Sequence, residues 1–181
     1  FFVVTQLKSQ LTELGKCGAQ VLVVSSSGSE LAALNGLRGV RCETIEIPRS
    51  ISLVRDLLGL IQLFFLLKRE HIQIVHSTTP KAGLLTAIAS FWAGVPIRLH
   101  TFTGQAWVKM RGLKGWLARS SDKLIGTLNT RCYADSHSQK DFLIEQKIVA
   151  ATKIAVIGAG SLAGVDTQRF NGENFTTQQC D

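Results

Sequence analysis

Residues 71–83 read HIQIVHSTTPKAG, and the parsing of the whole chain depends on them. A short, largely apolar run from Ile72 to Val75 stops in one imidazole and three hydroxyls, and after Pro80 a second apolar stretch, LLTAIASFWAG, begins. In α/β proteins a buried parallel strand reads as a short apolar run, and ligands bind at the loop on its carboxyl end. Thr78 or Thr79 is placed to cap the helix that follows, and Pro80 suits its first turn. The apolar content of residues 82–93 predicts that this helix packs on a sheet. His76, Ser77, Thr78 and Thr79 would then sit at the mouth of a cleft.

The same alternation extends in both directions. Upstream lie a helix ending at Gly15 or Gly18, a strand in AQVLVVSSSGSE, a helix near residues 29–37, a strand near 40–47 and a long helix over about 52–69. Downstream come the strand VPIRLHTFTG, a basic helix over about 113–129, the strand RCYADS, the helix SQKDFLIEQ and the strand KIAVIGAG. Strand and helix in strict alternation predict an α/β fold, a doubly wound, mostly parallel sheet with helices on both faces. The terminal NGENFTTQQCD has lost periodicity and is expected to fray.

With 181 residues, 45% of them hydrophobic and 18% charged, the chain suffices for one domain with a solid core. Its only methionine is Met110, so it is expected to be a piece of something larger. The net charge of +7 points to anionic partners: lipid head groups, nucleotide phosphates or nucleic acid. Nucleic acid is disfavoured, since aromatic residues make up only 7% and no DNA- or RNA-binding motif is present. Cys17, Cys42, Cys132 and Cys180 are far apart and form no C-x-x-C pair, which argues against a zinc site or a dense disulfide framework and for a reduced, cytoplasmic setting. The most apolar segment, LLGLIQLFFLL over residues 57–67, is too short to span a bilayer and reads as a buried helix.

Four polar loops follow apolar runs: residues 25–28, 76–79, 100–104 and 135–138. A parallel sheet places all four on one edge, with HSTT and HTFTG at neighbouring strand ends. One strand-end histidine alone is usually structural; several converging polar loops point to a binding site. Ser136 and Ser138 also read as caps of the helix after them, Ser138 being the better candidate. GAGSLAG places Gly158, Gly160 and Gly164 after a strand, but the spacing is not G-x-G-x-x-G and Asp166 comes too early to hold a ribose. No G-x-S-x-G elbow supports a serine hydrolase.

The segments IVHSTTPKAGLLTAIASFWAGVPIRLHTFTGQAW, ADSHSQKDFLIEQ and KIAVIGAGSLAGVDTQRF resemble the amino-terminal half of family 4 glycosyltransferases of the GT-B fold. The nearest resemblance is to bacterial enzymes that extend lipid-linked sugars for capsule, lipopolysaccharide or O-antigen. It implies a retaining transfer of sugar from a nucleotide-sugar donor to a lipid-linked saccharide acceptor, with no cofactor and generally no metal, in a cleft between two Rossmann-like domains. Residues 1–170 would form the acceptor-side domain, with the family's first strand and glycine-bearing loop preceding Phe1. Residues 171–181 would be a frayed tail or the start of a linker to the donor-binding domain. Many members have a histidine just before the glycine after the RLHT strand; here Thr103 stands there. His76, Ser77, Thr78, Thr79, His100, Thr101, Thr103, Gly104 and Ser136 are the candidate substrate-binding residues.

Residues 107–126, WVKMRGLKGWLARSSDKLIG, interleave Trp107 and Trp116 with Lys109, Arg111 and Lys114. That pattern suits either a sheet-packing helix with a solvated basic face or a segment lying on an anionic membrane surface. The lipid-linked acceptors implied by the resemblance add weight to docking at the inner face of the membrane. A nucleotide-dependent oxidoreductase and a non-catalytic binding module are the alternative readings.

Overall fold

The computed structural model of the chain describes residues 6–48 and 52–160. The expected alternation is realised as α1 (Lys8–Lys16), β1 (Val21–Ser25), β2 (Val40–Thr44), α2 (Leu53–Arg69), β3 (Ile74–Ser77) and α3 (Pro80–Ala93). It continues through β4 (Ile97–Phe102), α4 (Gly112–Leu128), β5 (Arg131–Ala134), α5 (His137–Glu145) and β6 (Ile154–Val156). The helix expected near residues 29–37 is instead a single 3-10 stretch, Ser29–Leu34. Asn35 after it is extended and Gly36 takes φ 89°, so the helical path is broken before an α-helix can develop. The tail and the far end of GAGSLAG, including Gly164 and Asp166, lie outside the described residues.

Every pairing among the described strands is parallel. β1 pairs with β2, and β3, β4, β5 and β6 form a sheet in that order, so the described strands make two hydrogen-bonded pieces. Side-chain alternation along each strand divides the core between two faces. In β1, Val23 packs with Leu11 of α1, whereas Leu22 and Val24 pack with the cluster that holds Leu63 and Leu66 of α2. In the larger sheet Phe102, Cys132 and Ile154 pack with Ala87 of α3, Ile125 of α4 and Leu143 of α5. Helices therefore cover both faces of the β1–β2 pair, α1 on one and α2 on the other, while α3, α4 and α5 pack on one face of the larger sheet, whose other face carries the exposed Ile74, His76 and Ile97.

α3 runs between α2 and α4 in one helical layer. Its ends are those the sequence predicts: Thr79 holds extended N-cap geometry without a side-chain cap bond, Pro80 opens the first turn, and Gly94 closes the helix in the left-handed conformation at φ 73°. α2 is buried along only one face, by Gly59, Leu63, Leu66 and Leu67. The expectation of a buried helix holds for that face and fails for the other, where Leu53, Val54, Leu57, Leu58, Ile61 and Phe65 are exposed. Among the described residues no helix is long and apolar enough to cross a membrane.

The amino edge of the sheet is tied down by two cations. Arg98 donates from Nε to the carbonyl of Leu128 at 2.9 Å and from Nη1 to that of Val95 at 2.6 Å, and its guanidinium lies over the Phe91 ring. Lys153 donates to the carbonyls of Thr127 at 2.8 Å and Asn129 at 3.0 Å. Both supply donors to carbonyls at the C-terminal end of α4, where the helix dipole is negative.

Candidate functional site

The carboxyl ends of β3 and β4 place their polar residues on opposite faces. Ser77 and His100 are register partners on the face that α3 and α4 cover. The Ser77 hydroxyl and His100 Nδ1 form a 2.9 Å hydrogen bond, and the imidazole stands edge-on to Phe102 with centroids 4.6 Å apart. Only Gly83 permits this packing, because a Cβ there would meet His100 Cε1 at 2.6 Å. Burial, then repulsion from His76 when that ring is protonated, pushes the His100 pKa down to about 3, so the His100 ring is neutral at ordinary pH. His100 is 2% exposed and belongs to the core rather than to an open cleft.

His76 and Thr101 look the other way. His76 Nε2 and the Thr101 hydroxyl are 2.8 Å apart, and both line a cavity of about 400 Å3 with Tyr133, Asp135 and Ile157. The opposite wall is α1, which contributes Gln10, Glu13, Leu14 and Cys17. His76 is exposed at the cavity, and partial desolvation of its ring by the wall lowers its pKa. The site thus offers a neutral imidazole, a hydroxyl, a phenol and carboxylates around an otherwise apolar chamber. Such groups hydrogen-bond a polyhydroxylated ligand, and the apolar walls supply its contact area. Among the described residues no three His, Cys, Asp or Glu side chains are grouped to hold a metal ion.

Three strand-end loops are linked above this cavity. The Thr103 hydroxyl donates to the carbonyl of Thr78 at 3.2 Å, which joins the loops after β3 and β4. Gly104 takes φ 148°, a backbone conformation that favours glycine. Gln139 accepts from the Asp135 backbone at 2.7 Å and reaches Gln105 at 3.4 Å, which joins the loops after β4 and β5. The cap of α5 is Ser136 and not Ser138: Ser136 is extended and accepts from the Gln139 N–H at 3.1 Å, while Ser138 already lies inside the helix. The fourth loop, after β1, bonds instead to the segment that follows β2, where Ser26 Oγ accepts from Ile47 N at 3.1 Å. It adds nothing to the cavity wall.

Residues 3–160 match the glycosyl transferase 4-like domain family, which is most of the chain. The chain belongs to the glycosyl transferase 4-like family. It is 32% identical over 168 residues to the capsular polysaccharide biosynthesis glycosyltransferase CapM of Staphylococcus aureus, covering 93% of this chain and 43% of that protein. It is 36% identical over 127 residues to the UDP-Gal:alpha-D-GlcNAc-diphosphoundecaprenol alpha-1,3-galactosyltransferase of Escherichia coli, covering 67% of this chain and 31% of that enzyme. The chain spans less than half the length of these relatives. Neither the family nor these relatives support an oxidoreductase.

In this glycosyl transferase 4-like domain the basic segment divides into a pinned part and an open part. Trp107, in the 3-10 turn Ala106–Lys109, donates from Nε1 to the Asp122 carboxylate at 2.7 Å, stacks on Phe142 at 5.6 Å and lies under the Arg119 guanidinium. Burial raises the Asp122 pKa to about 6, against the pull of the Trp107 hydrogen bond. Trp107 therefore fastens the turn to α4 and is only partly exposed. Lys109, Arg111, Lys114 and Trp116 are exposed, beside Val108, Met110, Leu113 and Leu117. Sequence reasoning placed Asp135 in a converging loop without naming it a candidate, and it missed Tyr133 and the α1 wall as site residues. Gln10, Glu13, Leu14 and Cys17 are spaced as one helix face, and that spacing was the available signal.

Proposed function

We propose that this chain is the acceptor-side Rossmann-like half of a retaining glycosyltransferase, residues 1–170, with 171–181 leading towards a donor-binding domain. The whole protein transfers a sugar from a nucleotide-sugar to a lipid-linked saccharide in the synthesis of a cell-surface polysaccharide. The observation that carries this reading is the cavity of His76, Thr101, Tyr133 and Asp135 at three linked strand ends, in a chain that matches the family over residues 3–160. The relatives add the substrate class: one serves capsular polysaccharide, and the name of the other gives UDP-Gal and a diphosphoundecaprenol-linked sugar.

The chemistry breaks the bond between the donor's anomeric carbon and its diphosphate and bonds an acceptor oxygen on the same face. The acceptor hydroxyl gives up its proton to the departing diphosphate, and the nucleoside diphosphate leaves with it. This half of the protein orients the acceptor: the exposed His76, its ring held by the buried Thr101 hydroxyl, binds an acceptor hydroxyl while the apolar wall excludes water. Donor stabilisation falls to the other half, so the 181-residue chain alone transfers nothing. The exposed Lys109, Arg111, Lys114 and Trp116 rest against an anionic membrane surface, which brings the cavity to a membrane-held acceptor.

The test is transfer of labelled sugar from a panel of UDP- and GDP-sugars to diphosphopolyprenol-linked saccharides by the full-length protein. Transfer with retained anomeric configuration is expected from the wild type. A His76→Ala variant should lose roughly tenfold or more in kcat/KM, the effect of misplacing a reacting group. Absence of transfer to any lipid-linked saccharide, or full activity in the isolated 181-residue chain, overturns the assignment.

A further inference from the structure

The outward face of α2 has no cover among the described residues, although Leu53, Val54, Leu57, Leu58, Ile61 and Phe65 run along it with exposures from 43% to 82%. A contiguous apolar stripe of this kind on a water-soluble surface marks an interface. Its position is fixed by an ion pair: Lys81 in the first turn of α3 meets Asp56 in the first turn of α2 at 2.6 Å, and also donates to the carbonyl of Pro48. Since α3 starts at the carboxyl end of β3, the first turns of α2 lie at the carboxyl edge of the sheet. α4, which follows the carboxyl end of β4, begins at that edge as well. Its exposed Leu113, Trp116 and Leu117 therefore lie at the same end of the helical layer as Leu53, Leu57 and Ile61, with α3 between them.

Charge decides what covers the stripe. The exposed cations near the two patches are Arg55 on α2 and Lys109, Arg111 and Lys114 before and within the first turn of α4. The acid nearest the stripe, Asp56, is paired with Lys81, and the Lys81 ammonium helps hold its carboxyl below the usual range despite the opposing effect of burial. Two copies apposed through this face would bring like charges together within a chain of net charge +7. An anionic bilayer supplies the complementary charge and an apolar layer for the leucines.

We infer that α2 inserts its outward face into an anionic lipid surface as a second contact beside α4, so that the two helices together set the orientation of the cavity towards the membrane. This rests on the membrane contact proposed for α4, and each contact has its own signature. The α4 cations act through space and are screened by salt; the α2 leucines act by burial and are not.

The experiment measures cosedimentation of the purified chain with vesicles of phosphatidylcholine and phosphatidylglycerol at 7:3, beside thermal melts and light scattering. Leu57→Gln with Ile61→Gln should weaken binding by about tenfold or more, because burial of one such side chain is already worth that factor. The loss should be similar at low and moderate salt, and Leu57→Met with Ile61→Met should bind like the wild type. Replacing Lys109, Arg111 and Lys114 by Gln should cost roughly a hundredfold, and that loss should shrink with salt. Leu53→Gln with Val54→Gln carries the same test if the first pair lowers the melting temperature. Unchanged binding by folded α2 variants overturns the inference while leaving the α4 contact standing. Binding lost by the α2 variants and kept by the charge variant supports α2 and refutes α4. A wild-type dimer that the α2 variants convert to monomer assigns the stripe to a second copy and overturns the inference.

Discussion

Acid should loosen this domain through one buried ring. His100 has an ordinary value of 6.5 when unfolded and about 3 in the folded chain, where burial and then His76 keep the ring uncharged. A histidine with a depressed folded pKa contributes stability that is complete above pH 6.5 and is lost as pH falls towards 3. At about 1.4 kcal/mol per pH unit, the contribution falls by roughly 2–3 kcal/mol between pH 6.5 and 4.5. Asp122 opposes the trend. Its folded value of about 6 lies above the ordinary 3.8, so its contribution weakens as pH rises through that window and recovers in acid. A wild-type pH profile alone is therefore flattened, and a difference between two proteins is required. His100→Gln keeps a hydrogen-bonding side chain beside Ser77 and cannot take up the proton. Urea unfolding of both proteins at pH 7, 5.5 and 4.5 should give a wild-type advantage that shrinks by about 1.4 kcal/mol per unit below 6.5. A difference that stays constant across the series refutes the buried neutral imidazole.

Gly83→Ala should destabilise the domain by about 1–3 kcal/mol, because the new methyl meets His100 before any gain in helix propensity can count; urea unfolding that finds a more stable variant contradicts the packing described. Asp122→Asn should keep the Trp107 bond and gain on the wild type between pH 4 and 7, because the wild-type carboxyl must ionise inside a buried site. Denaturant titrations in which its relative stability falls with pH over that range exclude a raised Asp122 pKa.

Much of the fold was legible because its signals are local. Apolar runs closed by hydroxyls marked β1, β3 and β4, and Pro80 and Gly94 marked both ends of α3. The family match covers the motifs that carried the resemblance. The adjacency of HSTT and HTFTG followed from parallel pairing of consecutive strands, and Ser77 and His100 are indeed register partners. Facing was less legible. His76 and His100 both stand at strand ends, yet one lines a cavity and the other is buried, and only the position of each residue in the pleat separates them. The cavity's other wall comes from α1, some sixty residues upstream of His76, and no strand-end pattern points to it. For α2, an apolar run with a single Gln62 carries too weak a period to reveal that one face stays uncovered.

Arg98 and Lys153 fasten the end of α4 at the edge of the sheet remote from the cavity. Foundation and frontage are thus separate. The loops at residues 78–79, 103–105 and 135–136 can be rewritten without disturbing those anchors. That separation leaves the cavity-side loops free to change their chemistry while the packing beneath them is inherited as one unchanged chassis.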